Sequence, residues 1–112
     1  MIVQSEKRGD ITVLRPSGRL DSATSGEFER TVEDAFDTGA RRLVFDFSQL
    51  DYISSAGLRS TLIAGKKARA LEGGQLALCA LKPQVAEIFA ISGFTAIFTI
   101  CKDLDEALAQ FR

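Results

Sequence analysis

Asp51-Tyr52-Ile53-Ser54-Ser55-Ala56-Gly57-Leu58-Arg59 joins two kinds of periodicity. Upstream, Leu43-Val44-Phe45-Asp46-Phe47 is a compact apolar run bounded by polar residues, the pattern of a buried strand. A short loop follows. Downstream, apolar and small residues recur at helical spacing to about residue 71, and Gly73-Gly74 stops the helix. Two serines therefore stand where a strand-to-helix loop becomes a helix. Ser54 or Ser55 is placed to cap the helix by accepting a hydrogen bond from a free N–H of its first turn. A serine at that junction is also open to phosphorylation, because exposed N–H groups and the helix dipole favour negative charge there.

Working outward, residues 2–7 and 11–16 read as two strands joined by a tight turn at Gly9-Asp10. Asp21, Ser22 or Thr24 is positioned to cap a first helix, with Glu27 three residues after Thr24 as in a capping box. Phe28, Val32, Ala35 and Phe36 give that helix one apolar face, and Gly39 ends it. Residues 75–80 form a further strand. Pro83 opens a third helix whose Val85, Ile88 and Phe89 face the core, and Gly93 closes it. Residues 96–100 read as the last strand. Asp103 caps a last helix with Glu106 at its third position. The order is ββαβαβαβα, an α/β domain with a mixed sheet.

Four motifs together resemble the STAS domain, the fold of bacterial anti-sigma factor antagonists. The loop Ser54-Ser55-Ala56-Gly57-Leu58 resembles that family's phosphorylation loop, in which the modified serine lies two residues before the glycine. Ser54 stands where the family usually has aspartate, and Ala56 where it has a second hydroxyl residue. Gly18-Arg19-Leu20-Asp21 resembles the turn before the first helix, Gly73-Gly74-Gln75-Leu76-Ala77-Leu78-Cys79 the fourth strand, and Ile91-Ser92-Gly93-Phe94 the end of the third helix.

The resemblance implies a single domain over residues 1–112, with four helices packed mainly on one face of the sheet. It implies a partner-switching regulator. The unphosphorylated form binds an anti-sigma factor that is also an ATP-dependent serine kinase, and so frees a sigma factor. Phosphorylation at Ser55, with Ser54 as the alternative, ends binding, and a serine phosphatase restores it. The competing expectation is an accessory subunit of a membrane transport system that binds its cytoplasmic ATPase without a phosphorylation cycle.

A partner-binding surface is expected from Asp21, Ser54, Ser55, Ala56, Gly57, Arg59, Leu62, Ile63 and Lys66. Asp21 enters by the resemblance, since the family's corresponding turn helps dock the kinase. On a helical wheel, Gly57, Leu58, Thr61, Ala64, Gly65, Ala68 and Leu71 form the apolar side of the second helix. Arg59, Ser60, Lys66 and Lys67 lie opposite. Ile63 falls among the latter, an apolar centre with a polar rim as in a docking patch. Arg59, four residues after Ser55 on the same face, is placed to meet a phosphate.

Composition narrows the remaining classes. The 112 residues are 46% hydrophobic and 26% charged, with a net charge of −1. That excludes a global basic field for nucleic acid, and Lys66, Lys67 and Arg69 have no interleaved aromatics. No run of about 18 apolar residues offers a membrane span. The N-terminus does not read as a signal peptide, so a cytoplasmic location is expected. With no histidine, and two cysteines whose separation fits no metal spacing, neither a histidine base nor a zinc site is expected, and no phosphate-cradling motif is present. Neither cofactor, metal nor catalysis is expected. Cys79 and Cys101 read as buried free thiols, and the chain as a monomer or weak dimer.

Overall fold

The computed structural model describes residues 1–111. Strands β1 (Ile2–Arg8) and β2 (Ile11–Leu20) form the expected hairpin, and Gly9 takes the positive φ (64°) that the turn needs. There follow α1 (Ser25–Asp37), β3 (Arg42–Asp46), β4 (Leu50–Ile53), α2 (Ser55–Ala70), β5 (Gln75–Cys79), α3 (Pro83–Ile91), β6 (Thr99–Cys101) and α4 (Leu104–Ala109). The sheet order is β1-β2-β3-β5-β6, antiparallel between β1 and β2 and parallel elsewhere. The expected mixed sheet with four helices is present.

Alternation along the strands sorts side chains onto two faces. Leu14, Leu43, Phe45 and Leu78 point to one side, where α1, α2 and α3 supply Phe28, Val32, Phe36, Leu58, Ala64, Ala68, Val85 and Phe89. Ile11, Val13, Val44, Ala77, Cys79 and Cys101 point to the other, where α4 alone supplies Ala107 and Leu108. Three helices against one is the expected bias. Aromatic contacts tie the larger core together, from Phe28 against Phe45 (5.1 Å between ring centres) through Phe47 to Phe89 and Phe98. Both cysteines are free and buried, and burial pushes the Cys79 thiol up to about 12.

The structure departs from the sequence reading in four places. Leu50–Ile53, expected as loop, is the strand β4. It pairs in parallel with the far half of β2 across a register shift at Gly18 and Arg19. Leu50 and Ile53 are buried, and the backbone groups of Gly18–Leu20 require partners once β3 has turned away. The final strand is shorter than residues 96–100. Phe94–Ala96 is a 3₁₀ turn and Phe98 turns into the core, so pairing begins at Thr99 opposite Ala77.

The expected capping box of α1 does not form. The Thr24 hydroxyl accepts from the Asp21 N–H (3.0 Å) and donates to the Arg19 carbonyl (2.8 Å), which uses it to close the turn before the helix. Finally, Ser60 lies on the buried side of α2, where its hydroxyl donates to Glu29 of α1 at 2.8 Å. By contrast, Asp103 does cap α4, accepting from the Glu106 N–H at 2.9 Å. No helix among the described residues is long and apolar enough to cross a membrane.

Candidate functional site

The start of α2 is positioned from below by β4 and β2. The Ser54 N–H donates to the Leu20 carbonyl (2.9 Å), so the chain leaves β4 still paired with β2. Ser54 has extended backbone, and its hydroxyl accepts from the Gly57 N–H at 3.5 Å. Ser54 is therefore the N-cap, and Ser55 is the first helical residue. The Ser55 side chain is exposed, and its hydroxyl has no hydrogen-bond partner among the described residues. The capping role that the sequence left open between the two serines falls to Ser54.

Gly57 explains why this loop carries a glycine. A Cβ at that position would lie 2.6 Å from the Leu20 carbonyl oxygen and 2.7 Å from Ile53 Cγ1. Only a residue without a side chain lets α2 approach β2 and β4 so closely. Gly57 is buried and seats the helix, whereas Ser55 and Arg59 face solvent and Ser54 and Ala56 are half-buried.

Charged groups frame the loop in pairs. The Asp21 carboxylate accepts from the Ala23 N–H (3.0 Å) and the Thr24 hydroxyl (3.3 Å), and lies 3.5 Å from Arg19. These contacts, led by the Ala23 N–H, hold its carboxyl below the usual aspartate range. Arg19 also stacks over the Tyr52 ring, 4.3 Å from its centre. On the other flank Lys82 pairs with Asp51. The pairing of Ser54 with Leu20 brings the Asp21 turn beside the two serines. No acidic residue lies in the first turn of α2. An anion on Ser55 would thus meet a helix N-terminus with its dipole unopposed.

Further along α2, Arg59 and Lys66 are exposed, Leu62 is half-buried and Ile63 is 42% exposed. Ile63 borders a groove of about 40 Å³ between α1 and α2, shared with Glu29, Val32, Glu33, Ser60 and Lys67. Lys67 reaches Glu33 across that groove at 2.7 Å. The residues expected at the surface thus divide into a loop group, Asp21, Ser54, Ser55 and Ala56, and a helix group, Arg59, Leu62, Ile63 and Lys66.

Sequence reasoning also missed a buried ion pair that supports this site. Asp46, at the end of β3, is almost fully buried and accepts from Arg15 Nε (2.8 Å) and the Ser48 N–H (2.9 Å). Burial opposes its charge, but Ser48 and Arg15 outweigh that and hold the carboxyl below its ordinary value. The pair fixes the β3–β4 connection that delivers Ser54 and Ser55. An aspartate inside the run Leu43–Phe47 was the available signal.

The STAS domain profile matches residues 3–107. A candidate anti-sigma factor antagonist of Bordetella bronchiseptica, BtrV, is 44% identical over 95 residues, covering 85% of this chain and 81% of that protein. Among solved structures, a candidate anti-sigma factor antagonist from Thermotoga maritima superposes with a TM-score of 0.92 at 21% identity, covering 98% of this chain and 94% of that one. The Bacillus cell fate determinant SpoIIAA, in its phosphorylated form, superposes with a TM-score of 0.75 at 22% identity, covering 99% and 100%. The match along nearly the whole chain, and a relative this similar, show that the chain belongs to the STAS domain family.

Proposed function

We propose that this protein is a cytoplasmic anti-sigma factor antagonist that works by phosphorylation-dependent partner switching at Ser55, and that it is not itself an enzyme. The observation that carries the reading is the division of labour at the start of α2. Ser54 caps the helix, leaving the Ser55 hydroxyl exposed and uncommitted. An anti-sigma factor kinase transfers the γ-phosphoryl group of ATP to Ser55 Oγ, and ADP and a proton leave. A serine phosphatase returns the hydroxyl and inorganic phosphate by hydrolysis.

The phosphate adds about −1.5 to −2 charges at neutral pH. The helix N-terminus tolerates that charge, so the domain stays folded. A partner that had buried the loop would have to desolvate the charge, which costs several kcal/mol, whereas about 1.4 kcal/mol already changes affinity tenfold. The likeness to BtrV, 44% identical over 95 residues, supports this reading over that of a transport accessory subunit.

The test is to incubate the protein with the purified anti-sigma factor kinase of its host and ATP, then map the phosphate. Label is expected in wild type and Ser54→Ala and absent from Ser55→Ala. Label lost in Ser54→Ala but kept in Ser55→Ala would reassign the site. Capture of a transporter ATPase, with no labelling, would favour the transport reading.

A further inference from the structure

Charge is distributed unevenly over the helical face. From Ser55 to Ala70, α2 carries Arg59, Lys66, Lys67 and Arg69 and no acidic residue, although the chain as a whole has a net charge of −1. Nearby carboxylates do not neutralise the outward stripe. Glu33 is taken by Lys67 and Glu29 accepts from Ser60, both in the groove toward α1. Arg59 and Lys66 are exposed and have no carboxylate partner among the described residues. Between them, four residues after Arg59 and three before Lys66, sits the exposed Ile63. An uncompensated cation on either side of an apolar residue is complementary to a surface of opposite sign with an apolar centre.

We propose that the outward stripe of α2, formed by Arg59, Ile63 and Lys66, docks on an acidic protein surface with an apolar centre, and that a phosphate on Ser55 withdraws Arg59 from it. The proposal rests on the partner-switching reading and adds the chemistry of the partner and the route by which the phosphate acts. Side chains four apart on a helix are neighbours, about 5–6 Å between Cβ atoms, and an anion N-terminal to a cation is the favoured order. Other cations near the loop are engaged, Arg19 with Asp21 and Tyr52, and Lys82 with Asp51.

Arg59 is thus the available counter-ion for the phosphate. An intramolecular pair has no association entropy to overcome, so the phosphate outcompetes a partner carboxylate for the same guanidinium. Lys66 lies about three helical turns from Ser55, beyond its reach. Phosphorylation therefore weakens the basic stripe at one end rather than erasing it.

Two measurements test this. In the first, wild type, Arg59→Ala, Lys66→Ala and the double variant are titrated against the host's purified anti-sigma factor kinase from low salt to about 0.3 M. Each single change is expected to weaken binding roughly threefold to tenfold. The salt dependence should flatten in the double variant, and the loss caused by Ser55→Asp should shrink when Arg59 is already alanine. In the second, phosphorus NMR follows the titration of phosphoserine 55 in the protein alone. The second phosphate pKa is expected to be lower in wild type than in Arg59→Ala, by roughly 0.3 unit, with Arg59→Lys between them.

Kinase binding that is kept but indifferent to Arg59, Lys66 and salt overturns the docking stripe alone. Identical phosphate titrations in wild type and Arg59→Ala overturn the withdrawal of Arg59. Absence of binding by wild type at every salt concentration overturns the partner-switching reading, and this proposal with it.

Discussion

Ser54, Ser55 and Gly57 occupy four consecutive positions with Ala56, yet each meets a different physical demand. Ser54 lends its hydroxyl to the Gly57 N–H at 3.5 Å, a long cap bond, so Ser54→Ala is expected to cost about 0.5–1 kcal/mol of stability. Ser55→Ala removes an exposed group with no partner and should stay within about 0.5 kcal/mol of wild type. Gly57→Ala places a methyl group 2.6 Å from the Leu20 carbonyl, and is expected to cost about 1–3 kcal/mol as α2 is pushed off the sheet. Urea unfolding of the three variants orders them. A Ser55→Ala more destabilised than Ser54→Ala would reverse the assignment of the cap.

At the scale of elements, α2 has a legible face and an illegible edge. Its buried residues Gly57, Leu58, Thr61, Ala64, Gly65 and Ala68 follow the periodicity, because one sheet face lies beneath them. Ser60 sits at the edge, and no wheel could assign it. It is buried because α1 packs beside α2 and offers Glu29 to its hydroxyl. Ile63 sits at the same edge one turn later and stays 42% exposed. Ile63→Asp is accordingly expected to change stability by about 0.5 kcal/mol or less while weakening binding to the anti-sigma factor kinase by at least about 1 kcal/mol. Thermal melting and a binding titration read the two effects separately. Strong destabilisation would mean that the α1–α2 groove depends on the isoleucine. Unchanged stability with unchanged binding would leave recognition to the Ser55 loop and Asp21.

Across the whole molecule, the sheet's two faces are unequally covered, and the Asp46–Arg15 pair occupies the less covered one. Asp46→Asn is expected to cost about 1–3 kcal/mol at neutral pH, since it removes a largely buried, charge-assisted contact. Because the folded-state pKa of Asp46 lies below its unfolded value, its contribution is complete above the unfolded pKa. It is lost as pH falls through the folded one. Wild type should therefore lose stability progressively below about pH 5, and the variant less steeply over the same range. Denaturant midpoints measured from neutral to acid pH check this. Parallel curves would show that Asp46 does not link folding to protons.

The local and periodic features of this domain are legible in its residues alone. The hairpin at Gly9-Asp10, the apolar stripe of α1, the buried run of β3, the cap at Asp103 and the helix beginning at the two serines are each written within a few residues. Backbone sterics and alternation act at that range. Four short motifs taken together also carried the family resemblance. Other features depend on residues far apart in the chain and emerge only on folding. Leu50–Ile53 is a strand because the far half of β2 needs a partner. The Thr24 hydroxyl makes no cap bond to α1 because the Asp21 N–H and the Arg19 carbonyl engage it. Ser54 takes the cap and leaves Ser55 free because the Leu20 carbonyl holds the Ser54 N–H at the edge of the sheet. Hydrogen bonds go to whichever partner the fold brings within about 3 Å, and spacing along a chain does not specify that neighbour.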